Sequence, residues 1–371
     1  MIFTVQQQDI WMGMQAALSI IPAKSTLPIL SNAAFDTKGN TLSISSTDLD
    51  VSVITHIPVQ STQDGSITMP GKKIAEIIRE LPNTPIEFSL ERQQVTISSP
   101  SGTYKILGLP KDEFPEFPKA IEGTQIKIDG TQLQRMIEKT IFAVSTDETR
   151  PALNGVLWQM KNEEMRMVAT DGHRLAKIIN TKMKMPSIEK EIIIPTKALS
   201  CLNRFRSEME DLKNVTLGEN HILFDLGNTQ IFSRLIAETY PNYERVIPQD
   251  NEKKLTVNRE TLSSSVKRVS ILSNAITHQI RFSLKSDGIK LSALDQDIGG
   301  EAKEEISAEY VGESMDIGYN ATYILEILLQ IESEDVVFEL NNPTTAALLY
   351  PTVQKEDEDY LCLIMPLRLN D

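Results

Sequence analysis

The sequence predicts an α+β protein made of three copies of one strand-rich unit, on three observations. A strand-like alternation ending in a charged turn occurs at Leu42 to Asp50, Met165 to Leu175 and Ile289 to Asp295, with Asp48, Asp171 and Asp295 spaced 123 and 124 residues apart. Each copy opens with a short strand seven residues ahead of an apolar helical position: Phe3 before Ile10, Ile126 before Leu133, and Leu255 before Leu262. Midway through each copy a second helix opens after Pro70, Pro195 and Asn320, which are 125 residues apart in both intervals. Three units of 125 residues would fill 375 positions against the 371 present, which divides the chain into 1–122, 123–250 and 251–371. A repeat of that length is a domain, well beyond the roughly 20 to 50 residues of a solenoid unit.

In the first copy the apolar residues Ile10, Met14, Ala17, Leu18 and Ile21 recur at helical spacing and predict a helix over 7–21, stopped by Pro22. Strands follow around Ala33 to Phe35, Thr41 to Ser45 and Val51 to Ile57. The second helix carries Ile74, Ile77, Ile78 and Leu81, and strands are predicted at 86–90, 94–98 and 103–107. The stretch from Leu109 to Pro118 holds three prolines after Leu109 and reads as a linker, because proline removes ladder donors. The second copy repeats the plan with Leu133, Ile137 and Ile141 on its first helix and Leu199, Leu202 and Phe205 on its second. Tyr240-Pro241-Asn242-Tyr243 opens a second linker. The third copy uses Leu262, Val266 and Val269, then Ile324, Leu328 and Ile331, and finishes in the apolar run Leu361 to Leu369. Termini are usually frayed and polar; this one is expected to pair into a sheet and leave its last residues beside a surface groove.

Composition is that of an ordinary globular protein, 40% hydrophobic and 24% charged. No apolar run approaches the ~20 residues that cross a bilayer, and no basic segment precedes an apolar one near the start, so a cytoplasmic location is expected. Cys201 and Cys362 lack metal-like spacing and read as small core residues. The net charge is −14, yet the six predicted helices (7–21, 71–81, 131–143, 196–206, 258–270, 321–331) sum to +5 over 74 residues, leaving −19 on the other 297. Either the helices carry ordinary solvated faces, or they form a basic surface for a polyanion while the acidic remainder repels attachment elsewhere.

Motifs for chemistry are absent: there is no phosphate-cradling glycine loop, no nucleophile elbow and no paired-histidine zinc motif. His56, His173, His221 and His278 are scattered without ligand spacing. Asp171 and His173 sit two apart on one turn beside Arg174, a poor arrangement for activating a nucleophile. The carboxylates Asp48 and Asp50, and Asp295, Asp297 and Glu301, suit either a hard cation or an acidic strand end; the second copy lacks the second carboxylate, which favours the strand end. No catalytic residue, metal or cofactor is expected.

Five stretches together carry a family resemblance: Thr146 to Leu157 (TDETRPALNGVL), Ala169 to Leu175 (ATDGHRL), Tyr240 to Pro248 (YPNYERVIP), Ile271 to Asn274 (ILSN) and Met365 to Leu369 (MPLRL). In this order, on a threefold repeat, they resemble the bacterial sliding clamps, the beta subunits of DNA polymerase III. The resemblance implies three DNA-clamp domains per chain, two chains head to tail in a ring, helices lining a central hole and antiparallel sheets outside. It implies a processivity factor that encircles double-stranded DNA without reading sequence, and a homodimer that tethers the replicative polymerase, the clamp loader and other partners by short peptides. Lys24, Arg150, Lys197, Arg204 and Arg206 are the implied DNA contacts. The implied peptide groove has one wall in Thr170, Gly172, His173, Arg174 and Leu175. Leu153, Pro241, Arg245, Val246, Asn320 and Tyr323 belong to it, with Leu363, Met365, Pro366, Leu367 and Arg368 from the terminus. Tyr104 and Ile106 are expected to meet Ile271 and Leu272 of a second chain. Two other classes stay open on the residues alone, a metal-dependent enzyme acting on DNA and an acidic multidomain scaffold; metal-dependent turnover would mark the first, monomers indifferent to DNA the second.

Overall fold

The computed structural model describes residues 1–22, 25–117, 122–183 and 189–369. The chain packs as two compact units, Met1–Gln134 with Ile194–Leu235, and Arg135–Ile193 with Ile236–Asp371. Among the described residues, no helix is long and apolar enough to cross a membrane.

The first unit holds two antiparallel sheets. One has five strands in the order Gln60–Gln63, Ile2–Gln6, Pro85–Glu91, Gln94–Ser99, Gly102–Leu107. The other has eight, in the order Thr124–Ile126, Asn214–Leu217, His221–Asp225, Thr229–Arg234, Val51–Pro58, Thr41–Thr47, Asn32–Lys38, Gly65–Pro70. The second unit has a nine-stranded sheet and a four-stranded one. The nine run Lys190–Pro195, Gly155–Met160, Met165–Thr170, Arg174–Asn180, Glu358–Ile364, Ala347–Pro351, Asp335–Leu340, Lys253–Asn258, Glu309–Val311; the four run Gly300–Ile306, Gly288–Asp295, Gln279–Lys285, Met315–Asn320.

Among the described residues six α-helices fall where the apolar spacing predicts them: α1 (Gln7–Leu18), α2 (Gly71–Glu80), α3 (Gly130–Ile141), α4 (Thr196–Arg204), α5 (Arg259–Val269) and α6 (Ala321–Gln330). The spaced residues Pro70, Pro195 and Asn320 are the N-caps of α2, α4 and α6. Proline's fixed φ suits the helix entry, while the Asn320 carboxamide accepts from the N–H groups of Thr322 and Tyr323. The largest departure from the expected boundaries is at α1, while α3 and α4 end two residues short of 143 and 206. α1 ends at Leu18 rather than residue 21, because the Ser19 N–H and hydroxyl both turn back to the Ala16 carbonyl; Ile20 and Ile21 still enter the core from the turn. α1 and α2 pack over Phe3, Phe35 and Phe88, with Phe3 and Phe88 stacked at 4.9 Å. The linkers contain short 3-10 turns, Lys111–Glu113 and Tyr243–Val246, that side-chain spacing did not signal.

Candidate functional site

The turn Thr170–Arg174 is built from its own side chains. The Thr170 hydroxyl donates to the Arg174 carbonyl at 2.6 Å and accepts from the Gly172 N–H at 3.1 Å. The Asp171 carboxylate accepts from the backbone N–H of His173 and of Arg174, at 2.8 and 2.9 Å. This consumes Asp171 structurally. Gly172 stands at φ +90°, a left-handed conformation that glycine adopts without a Cβ penalty. The echo at Thr47–Val51 is the same turn: Leu49 N–H to Thr47 Oγ1 at 3.0 Å, and Asp50 and Val51 N–H to Asp48 Oδ1 at 3.1 and 2.8 Å. Here, however, a leucine occupies the left-handed position, at φ +85°. The third echo differs, since Asp295 accepts from the Asp297 N–H and the left-handed residue is Gly299.

Arg174 is the most enclosed residue of the turn Thr170–Arg174. It is only 7% exposed. Its guanidinium meets Asp171 at 3.1 Å, Glu326 of α6 and the Phe142 carbonyl at 2.7 Å. It also lies over the rings of Tyr323, at 4.4 Å, and Phe142, at 5.3 Å. Arginine's planar fork satisfies this many partners where an ammonium would not. These contacts inside the chain make Arg174 part of the turn's wall. His173, by contrast, is exposed, with its ring stacked on Tyr323 at 6.4 Å.

Below the turn lies an apolar floor. Leu157 pairs across from Val168, and Leu175 from Leu363; these four cluster with Ile193, Tyr243, Ala346 and Leu348, and Ala152, Tyr240 and Ile247 pack partly against them. Buried Leu153 is held by its N–H to the Arg150 carbonyl at 2.9 Å. Tyr243 is anchored by its hydroxyl donating to Gln159 at 2.8 Å, and Glu244 by Arg166 at 2.9 Å. That fastening leaves Arg245 and Val246 facing outward, beside exposed Pro241. The terminus closes the site: the Met365 N–H donates to the His173 carbonyl and the Leu367 N–H to that of Gly318, both at 2.8 Å, and the Arg368 carbonyl accepts from Gln279 at 3.0 Å. Met365 is exposed and Pro366 and Leu367 half-buried, between the His173 turn and Tyr323 at the start of α6. The predicted groove residues therefore all lie in the second unit, and the structure brings Leu175 and Leu363 into one floor beneath the His173–Met365 rim. Sequence reasoning missed Leu157, Val168, Ile193 and Leu348; alternation along paired strands was the signal that could have found them.

The first unit shows what the turn alone does not supply. Its twin strands pair in the same register, Ala34 with Ser45 and Ser52 with Phe232. The positions of Leu157, Val168, Leu175 and Ile193 are thus taken by Ala34, Ser45, Ser52 and Thr68. Ser52 bonds Thr47 at 2.7 Å and Thr68 bonds Asn32 at 3.0 Å, so this floor is polar and satisfied. An apolar anchor gains nothing there.

The other expected sites are placed as follows. Lys24 lies outside the described residues. Lys197 and Arg204 sit seven apart on α4, and Arg206 starts the 3-10 turn Arg206–Asp211 after it. Lys197 is ion-paired with Asp48, and Arg150 with Asp147 at 3.0 Å. Asp48 is thereby committed to a lysine and a turn. Among the described residues no group of three or more His, Cys, Asp or Glu could hold a metal ion. The charge count over α3 overstates what it offers a polyanion, because Arg135 bridges Glu332 and Glu358 at 2.6 and 2.7 Å and Lys139 is buried against Glu332 at 2.9 Å. Tyr104 and Ile106 lie on the edge strand Gly102–Leu107; Ile271 is exposed and Leu272 half-buried in the 3-10 turn Ser270–Leu272. On the strand Gly300–Ile306, Glu304 is bonded by Arg268 at 2.6 Å and Glu301 by Lys303 at 2.5 Å.

Three family models of the DNA polymerase III beta subunit match in succession: the N-terminal domain over residues 1–118, the central domain over 127–242 and the C-terminal domain over 244–368. The beta sliding clamp of Pseudomonas aeruginosa is 31% identical over 370 residues, covering 99% of this chain and 100% of that one. The beta sliding clamp of Staphylococcus epidermidis is 32% identical over 377 residues, covering 99% of each. Among solved structures, the sliding clamp of Bartonella birtlesii bound to griselimycin superposes with a TM-score of 0.91 at 32% identity, covering 100% of both chains.

Proposed function

Because the chain belongs to the DNA polymerase III beta subunit family, the beta sliding clamps, we infer that it is a processivity factor whose two copies close head to tail around duplex DNA. The family's role is that of an accessory subunit and not a catalyst, in keeping with a turn whose Asp171 is spent on backbone N–H groups. Its three clamp domains correspond to 1–122, 123–250 and 251–371, and its place of work is the cytoplasm. Lys24, Arg150, Lys197, Arg204 and Arg206 meet phosphates, which position the ring without specifying sequence. Tethering raises a polymerase's effective concentration at the primer end.

The observation that best supports partner binding is the apolar floor of Leu157, Val168, Leu175 and Leu363, rimmed by His173, Val246 and Met365 and present in only one of the two turn frameworks. Two apolar anchors seated there contribute roughly 2 to 4 kcal/mol each, which sets micromolar affinity for a pentapeptide such as Gln-Leu-Ser-Leu-Phe. Met365 supplies an adaptable thioether wall. The test is fluorescence anisotropy of that labelled peptide with the full chain and with a variant lacking Met365 to Asp371. Binding should vanish in the deletion while the dimer mass is kept; equal affinity in both would place the groove elsewhere.

A further inference from the structure

The family resemblance places Arg174 and Tyr323 in the groove and says nothing of Glu326, which follows Tyr323 on α6. Helix positions three apart share a face, so the Tyr323 ring and the Glu326 carboxylate rise from one side of α6. Arg174 reaches both. Its guanidinium lies over the ring at 4.4 Å, and its Nη1 donates to Glu326 Oε2.

The other acceptors around Arg174 belong to local structure. Asp171 Oδ1 accepts from two N–H groups of the turn, and Oδ2 faces the guanidinium; the Phe142 carbonyl lies just past the end of α3. Glu326 is different. Its side chain is 42% exposed, and among the described residues its one ion-pair partner is Arg174. Burial raises the Tyr323 phenol above its ordinary range; Asp171 and Glu326 add to the rise while Arg174 opposes it, so all three charges act on this ring. The His173 imidazole stacks on the same ring, with 22° between the planes.

We propose that Glu326 is a positioning residue of the peptide groove: it holds the Arg174 guanidinium against Tyr323 and thereby fixes the aromatic wall on which a partner peptide packs. Without the carboxylate, Nη1 turns to water and the ring loses its backing. The floor of Leu157, Val168, Leu175 and Leu363 is untouched, so affinity falls without the groove being lost. The proposal rests on the groove reading given above and adds what keeps its wall in place.

A double-mutant cycle tests it, read by anisotropy of labelled Gln-Leu-Ser-Leu-Phe on the full chain, with urea midpoints measured alongside. Glu326→Ala should weaken binding on the order of fivefold. Glu326→Gln keeps an acceptor for Nη1 without the charge and should weaken it by only about twofold. Both midpoints should stay near the parent's, because an ion pair this exposed adds little stability. In a Tyr323→Ala background the effect of Glu326→Ala should disappear, since the wall it steadies is gone. Losses that multiply in the double variant, or an affinity that falls in step with the midpoint, would overturn positioning through Tyr323. Parent-like binding by Glu326→Ala while Tyr323→Ala is weakened would overturn it too, and leave the groove standing. Parent-like binding by Tyr323→Ala would instead remove the groove reading itself.

Discussion

At the scale of single residues, two copies of one turn differ in who bears the left-handed conformation. Leu49 at φ +85° holds strain that Gly172 at φ +90° does not, and such strain costs about 1 kcal/mol for a residue with a Cβ. Leu49→Gly should therefore raise stability by about 0.5 kcal/mol after the greater freedom of the unfolded glycine is counted, and Gly172→Ala should lower it by about 1 kcal/mol. Urea midpoints of the two variants moving the same way would contradict the shared-turn account. Arg174 calls for a larger effect. Its removal leaves the Oδ2 of Asp171, largely buried, and the Phe142 carbonyl without the guanidinium, so Arg174→Ala should cost about 3 kcal/mol, with Arg174→Lys recovering only part because the fork is lost. Weakened peptide binding with an unchanged urea midpoint would mean that Arg174 acts on the ligand and not on the wall.

At the scale of elements, helix positions were legible because burial follows the 3.6-residue period: Ile74 and Ile78, Leu199 and Leu202, and Leu262 and Val266 all point inward. The groove's floor was not, because Leu157, Val168 and Leu363 come from separate strands and meet only through a register that no single segment contains. Nor could sequence reveal which cations are spent. Arg135 and Lys139 count toward the positive sum of the helices, yet both turn to Glu332, just past the end of α6. The hydrogen bond from Arg135 holds the Glu332 carboxyl down at about 2, against an ordinary 4.5. A carboxyl whose folded pKa is depressed stabilises the fold above its unfolded value, and that contribution fades as pH falls from about 4.5 to about 2. Because the Glu332 side chain is 58% exposed, solvent screening limits the contribution to less than about 1 kcal/mol. Glu332→Gln should thus be slightly less stable than the parent at pH 7, with the difference closing across that window. A difference that stayed constant from pH 7 to pH 2 would separate Glu332 from the ionic network.

At the scale of the whole molecule, net charge and local charge pull in opposite directions. A chain at −14 repels DNA in bulk, and several helix cations are already partnered, Lys197 by Asp48, Lys73 by Glu76 and Arg268 by Glu304. Such pairing weakens what each cation offers a phosphate. Each phosphate neutralised adds about 0.9 to the salt slope on duplex DNA, so direct affinity from the handful of cations at Arg150, Lys197, Arg204 and Arg206 should be weak and gone at moderate salt. A processivity factor cannot depend on that affinity, because contacts strong enough to hold would also resist sliding. A closed ring separates the two demands: linkage retains the protein while weak phosphate contacts let it move. Clamps loaded onto nicked circular DNA should therefore survive a wash at moderate salt that strips them from a short linear duplex, and linearising the circle should release them. Reversing Arg204 and Arg206 to glutamate should steepen loss from linear DNA while changing retention on the circle little. Equal loss from circular and linearised DNA at one salt concentration would show that affinity, and not topology, holds the protein in place.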